Sequence, residues 1–207
     1  MSNIPAYWDA ATQALAERDA ILRPLIERHD ALTIGSRGDA FATLARAIVN
    51  QQISVTAARS IWARFAQRLG AVTPAAVCRI RAPSLRKCGL STQKTTYLKD
   101  LGKRFASGEL DPLRWHGLED EALIAELTQV KGIGRWTAEM FLIFYLTRPD
   151  VLPLADIGLQ RALRVNYNRG RPLTLARMQR IGSAWAPWRS VGTWYLWRSL
   201  DPVTEKA

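Results

Sequence analysis

Apolar residues return at every third or fourth position along nearly the whole chain, and this period limits the fold more than any other feature. Ala11, Ala14 and Leu15 share one face of a segment from Tyr7 to Arg18, and Ile21, Leu22, Leu25 and Ile26 continue the pattern. Asp39 and Ser54 are placed to cap helices holding Phe41, Leu44, Ala45 and Ile48, and then Ala57, Ala58, Ile61, Trp62, Phe65 and Leu69. Thr73–Pro74 and Ala82–Pro83 open two short helices, because proline fits a first turn. Ser91 starts a helix that buries Tyr97, Leu98, Leu101 and Phe105, and Glu119, Asp120 and Glu121 suit the start of one carrying Leu123, Ile124 and Leu127. Further helices are expected near Arg135–Leu146, Asp156–Asn166, Thr174–Ala186 and Trp188–Leu200. Ala31–Thr33 is the single candidate for a short extended piece. The expected fold class is therefore all-α, about ten helices joined by short loops, with both termini contributing to one lobe and the middle forming the other.

The chain of 207 residues is long enough to bury a core without disulfides, and it is read as a single domain. Lysine and arginine number 29 against 18 acids, a net charge of +11. That balance points to a polyanionic partner, or to a soluble protein simply rich in arginine. The longest apolar run, Met140 to Leu146, falls far short of the roughly 18 residues a membrane span needs. The start, MSNIPAYWDAATQ, lacks the basic and then apolar pattern of a secretory signal, so a cytoplasmic location is expected. Cys78 and Cys88 are the only cysteines and read as reduced, buried thiols. Neither they nor His29 and His116 have metal-ligand spacing, and a four-cysteine iron–sulfur cluster is excluded.

Two segments carry candidate chemistry. From Leu127 to Ala138 one helix ends and another begins across Gly132-Ile133-Gly134. The glycines permit a tight turn and close approach of a ligand, and the new helix presents free N–H groups suited to a phosphate oxygen, with Lys131 and Arg135 beside them. An ordinary helix connector also fits a lone Gly-x-Gly, but Val130 before the glycines and Thr137–Ala138 after them make the pattern more demanding. Asp156 follows the apolar stretch Leu152-Pro-Leu-Ala and opens a helix. A carboxylate there caps the helix and stays ionised. The same carboxylate is a pre-positioned anion, able to stabilise an oxocarbenium-like transition state. Spacing alone leaves both roles open.

In four blocks the chain resembles the helix-hairpin-helix DNA glycosylase superfamily, most closely its 3-methyladenine branch. They are Ile48-Val-Asn-Gln-Gln-Ile-Ser54, Gly89-Leu-Ser-Thr-Gln-Lys-Thr-Thr-Tyr-Leu98, the hairpin with Asp156, and Trp185-Ala-Pro-Trp-Arg-Ser-Val-Gly-Thr-Trp-Tyr-Leu-Trp197. The resemblance implies a two-lobed helical fold with the active-site cleft between the lobes. It implies hydrolysis of the N-glycosidic bond of an alkylated purine that is flipped out of double-stranded DNA, with Asp156 as the catalytic carboxylate. Relatives that also cut the strand carry a Schiff-base lysine where this chain has Trp136, so a monofunctional enzyme that leaves an abasic site is expected. The short stretch before the first motif suggests a compact form without the N-terminal β-domain of some larger relatives.

The resemblance also assigns parts. Trp136 and Trp197 match the aromatics of the base pocket, where an electron-rich face favours a cationic methylated base. Met140 stands where well-known bacterial relatives have tyrosine, which makes the cage less aromatic. Trp185, Trp188 and Trp194 read instead as core. Gln51 and Gln52 match the turn whose side chain fills the gap left by the flipped nucleotide, Gln52 as the plug and Gln51 as its support; polar capping contacts between two helices are the other reading. Gly132, Ile133, Gly134, Lys131, Arg135 and Thr137 form the expected DNA contact of the hairpin. Arg161, Arg164, Arg169 and Arg171 cluster elsewhere, and Lys94 and Lys99 are placed on another exposed face. No cofactor and no catalytic metal are expected, although a structural monovalent cation on the hairpin backbone is compatible with the resemblance. The expected protein is a monomer. Glycosylases for uracil, oxidised purine or mismatched adenine, and a non-catalytic DNA-binding module, are the competing readings.

Overall fold

The computed structural model describes residues 4–29, 33–35 and 38–201. Ala31 and Leu32, most of the candidate extended piece, lie outside them. Every regular element among the described residues is a helix: α1 (Trp8–Arg18), α2 (Leu22–Arg28), α3 (Ala40–Asn50), α4 (Val55–Leu69), α5 (Pro74–Arg79), α6 (Ala82–Lys87), α7 (Thr92–Ala106), α8 (Pro112–Trp115), α9 (Asp120–Leu127), α10 (Arg135–Phe144), α11 (Ile157–Asn168), α12 (Leu175–Ser183) and α13 (Arg189–Arg198). These thirteen are two more than the eleven segments read from the sequence. The four-residue α8 is too short to show a period, and the pattern read as continuous through Ile21 is broken. Asp19 breaks it by turning extended and accepting the N–H groups of Ile21 and Leu22 on its own carboxylate.

Most starts follow from capping chemistry. Asp39, Ser54, Thr73, Ser91, Asp156 and Thr174 each accept a first-turn N–H on the side chain. Each such cap contributes about 1 kcal/mol.

The chain divides into two compact units. The middle unit, Arg37–Phe141, packs around Phe41, Phe65, Leu98, Leu101 and Trp115. Phe41, Phe105, Trp115 and Phe141 meet edge to face in sequence, an arrangement favoured by the ring quadrupole. The terminal unit, Met1–Ser36 with Leu142–Ala207, packs around Leu15, Leu22, Leu163, Trp185 and Tyr195. Its polar centre is the half-buried Asp19, whose second oxygen accepts from the Tyr167 hydroxyl at 2.6 Å and the Trp185 indole at 3.0 Å. Trp185 is core as expected, whereas Trp188 stacks on Tyr7 and Trp194 lies under the Arg198 guanidinium, both only half-buried. Cys88 is buried and Cys78 partly so, both as free thiols.

Candidate active site

In the middle unit the chain turns from α9 into α10 through a hairpin. Val130 N–H donates to Leu127 C=O and Ile133 N–H to Val130 C=O, while Asp100 accepts the Lys131 N–H at 2.9 Å. The two glycines do different work. Gly132 has φ +84°, and a Cβ there would stand 2.1 Å from the Tyr97 ring, so only glycine fits. A Cβ at Gly134 would meet nothing within 4 Å. Its missing side chain serves no internal packing, and it leads straight into the first turn of α10.

The hairpin residues named from sequence divide accordingly. Lys131 is exposed. Ile133 is buried at 3% exposure with its N–H already bonded, so it anchors the hairpin and presents no side chain outward. Arg135 is not a free cation. Its guanidinium makes a two-point bond to Glu121 at 2.5 and 2.9 Å, and its Nε reaches Glu139 at 2.9 Å. The Arg135 bond holds Glu121 below the usual carboxylate range. Burial pushes Glu139 above that range, with Arg135 opposing, and one Glu139 oxygen is buried without a partner.

Beside the hairpin lies a hollow of about 860 Å³, lined among others by Gln51, Gln52, Tyr97, Trp136, Thr137 and Met140. Trp136 and Met140 lie one turn apart on α10, and Trp136 is 45% exposed for so large a ring. Thr137 is buried in the wall. Gln51 donates its side-chain amide to the Gly132 carbonyl at 2.8 Å, tying the α3–α4 turn to the hairpin. Gln52, next in the chain, is exposed with φ +56°, a left-handed conformation uncommon outside glycine.

Lys94 and Lys99 do not form an exposed face. The Lys94 ammonium donates to the Val49 and Gln51 carbonyls at 2.8 and 2.6 Å, and burial lowers its pKa. Lys99 donates to the Cys78 and Ile80 carbonyls. Each lysine closes the C-terminal end of a neighbouring helix, where carbonyls lack N–H partners and the dipole is negative. Periodicity cannot show that a helix end lies within reach. Lys94 and Tyr97 both belong to the Gly89–Leu98 block.

The terminal unit holds Asp156. Its N–H donates to Pro153 C=O, and Gln160 ties down Leu154 C=O. Asp156 Oδ1 accepts from the Leu159 N–H at 2.6 Å and from the Trp197 indole N–H at 2.8 Å. Asp156 thus caps α11, and its carboxylate is fixed from a second direction. Two neighbours that sequence reasoning passed over make this possible. Phe144 stacks on Trp197 with centroids 5.6 Å apart, covering one indole face. Gly158 leaves the space for the bond, since a Cβ there would lie 3.0 Å from Asp156 Oδ1 and 3.4 Å from the indole. The resemblance placed Trp197 as a base-stacking aromatic; here its N–H serves the carboxylate. The Arg161, Arg169 and Arg171 side chains are exposed, and Arg164 is half-buried.

A monovalent cation on the hairpin would be held by main-chain oxygens. The carbonyls of Val130, Gly132 and Gly134 accept N–H groups from Ile133, Gln51 and Ala138, which leaves each a second lone pair. Among the described residues no cluster of His, Cys, Asp or Glu could hold a metal ion, and no helix is long and apolar enough to cross a membrane.

Known proteins resemble the chain across this whole region. The family model for the HhH-GPD superfamily base excision DNA repair protein matches residues 45–187. DNA-3-methyladenine glycosylase 1 of Schizosaccharomyces pombe is 35% identical over 164 residues, which are 77% of this chain and 72% of that one. The crystal structure of a DNA-3-methyladenine glycosidase from Bacillus halodurans superposes with a TM-score of 0.84 at 35% identity, covering 91% of this chain and 88% of that one. The S. pombe 3-methyladenine DNA glycosylase in complex with abasic DNA superposes with a TM-score of 0.77 at 30% identity, covering 92% and 96%. The all-helical fold, the hairpin and the match over residues 45–187 establish that this chain belongs to the HhH-GPD superfamily of base excision DNA repair proteins.

Proposed function

We propose that the chain is a monofunctional DNA glycosylase that removes alkylated purines, such as 3-methyladenine and 7-methylguanine, from double-stranded DNA and leaves an abasic site. The observation that carries this reading is the Asp156 carboxylate, held by Leu159 N–H and Trp197 N–H, in a chain whose relatives are named 3-methyladenine glycosylases. The C1′–N bond breaks with its electron pair leaving on the purine. Positive charge then builds on the deoxyribose, where a fixed anion stabilises it without reorganising. Water adds its oxygen to C1′ and gives up its proton to Asp156 or solvent. A purine made cationic by alkylation leaves readily, so the second carboxylate that ordinary glycoside hydrolysis requires is dispensable.

Trp136 and Met140 offer the displaced base a ring face and a thioether. Gln52 enters the gap in the duplex, with Gln51 as its support. Gly132 and Gly134 let a phosphate approach the first-turn N–H groups of α10, with Lys131 adding charge. Arg135, bound by two carboxylates, sets the hairpin's position instead of meeting phosphate. No lysine stands at position 136, so no Schiff base forms there. The protein acts as a monomer in the cytoplasm.

Duplexes carrying 3-methyladenine, 7-methylguanine, hypoxanthine or uracil provide the test. The protein is expected to release the methylated purines and to leave strands intact until alkali is added. Release of uracil alone would point to another branch, release of nothing to a DNA-binding module, and strand cutting without alkali to a lyase.

A further inference from the structure

The α3–α4 turn separates two hollows. One is the hollow of Trp136 and Met140. The other, about 280 Å³, is lined by Arg46, Asn50, Ile53, Val55, Ala58 and Arg59. Asn50 and Ile53 line both and form the wall between them, while Gln51 and Gln52, which lie between these two in the chain, face the first hollow. The two hollows differ in chemistry. The first presents an aromatic ring and a thioether, the second two guanidinium groups. Arg46 and Arg59 are exposed, and neither pairs with a carboxylate among the described residues. The hairpin's Arg135 is neutralised by Glu121 and Glu139, whereas these two are not. Arg46 is also held in place, its guanidinium 5.2 Å from the Trp62 ring centroid. Ile53 and Val55, at 36% and 68% exposure, add apolar surface beside the charges.

We infer that this second hollow binds backbone phosphate of the DNA strand opposite the lesion. The inference rests on the function proposed above. A residue that fills the gap in a duplex has one side toward the displaced nucleotide and the other toward what stays stacked. With the displaced base on the Trp136 side of Gln52, the strand remaining on the far side is the complementary one, and its nearest anions are phosphodiesters. Two arginines suit that ligand because guanidinium groups bind phosphate oxygens through paired N–H donors. The apolar Ile53 and Val55 then lie against sugar carbons.

The test uses a duplex with a stable abasic-site analogue and the double variant Arg46→Gln/Arg59→Gln. Each phosphate contact contributes about 0.9 to the slope of log K against log salt. The double variant is expected to lower that slope by about 1.8, with an unchanged melting temperature because both side chains are exposed. Arg46→Lys/Arg59→Lys should restore most of the slope. Uncharged methylphosphonate linkages on the complementary strand opposite the lesion should weaken wild-type binding, yet weaken the double variant no further. An unchanged slope overturns the inference. So does a variant that still responds fully to complementary-strand neutralisation, or a wild type that responds only to neutralisation of the lesion strand. If the wild type neither prefers lesion DNA nor excises methylated purines, it is the proposed function that fails.

Discussion

Two helices of this protein begin directly after a turn, α10 after Gly134 and α11 after Asp156, and both start with first-turn N–H groups that lack a partner within their own helix. At α11 the chain supplies its own anion. Asp156 takes the Leu159 N–H, and Trp197 fixes the same oxygen from the side. At α10 the preceding residue has no side chain at all, and a Cβ there would touch nothing. One start is capped by a side chain of the residue before it, and the other follows a residue that has no side chain to offer. In the proposed function the first holds the charge that does chemistry, and the second makes a place for a charge carried by the ligand. Under the proposed function, the same backbone physics serves a catalytic group in one place and a binding group in the other.

The comparison can be broken at several points. The largest expected effect on folding lies at Gly132. Gly132→Ala forces a Cβ into the Tyr97 ring at positive φ, and should cost about 2–4 kcal/mol in chemical denaturation. Gly134→Ala should leave stability within about 0.5 kcal/mol, yet weaken binding to DNA. Equal stability losses at both glycines would erase the distinction between them. Next comes Trp197→Phe, which keeps a ring against Phe144 but removes the N–H from Asp156. A hydrogen bond to a charged group is worth about 1.5–3 kcal/mol, so single-turnover excision should slow by about tenfold or more, with DNA affinity little changed. A loss of affinity without a loss of rate would return Trp197 to the base pocket alone.

The smallest effects separate the hairpin cations. Lys131→Ala should lower the salt slope of DNA binding by about 0.9. Arg135→Gln should leave that slope unchanged and lower stability instead, because it strands Glu121 and the buried Glu139. A carboxyl held high in the folded state binds its proton more tightly there, so Glu139 favours folding at acid pH and loses that contribution as pH rises through its folded pKa. The stability cost of Arg135→Gln should accordingly shrink as pH falls toward and below the ordinary carboxylate range.

What sequence could show here was whatever is local. Caps at Asp39, Ser54, Thr73, Ser91 and Asp156 were legible because a short polar side chain before an apolar period has one favoured use. The hairpin was legible because two glycines interrupt helices on both sides. The break at Asp19 was not, since the apolar period runs through it and the carboxylate's choice of N–H groups depends on tertiary packing of Tyr167 and Trp185. Lys94 and Lys99 were placed on an exposed face, and Arg135 among the DNA contacts of the hairpin, because nothing in their neighbourhood reveals the helix ends and carboxylates they bind. Gly158 and Phe144 matter only through Trp197, which lies far along the chain. Side chains that act through a distant partner leave little signal in one sequence.

The central claim is that Asp156 is both a cap and the catalytic anion, and Asp156→Asn divides those roles. Asparagine caps a helix about as well as aspartate, so the melting temperature and the affinity for abasic-site DNA should stay close to wild type. Single-turnover release of 7-methylguanine should fall by at least about 100-fold, the scale set by removing one electrostatic group from a transition state. Near wild-type release by a folded Asp156→Asn protein would contradict the account and leave Asp156 a cap alone.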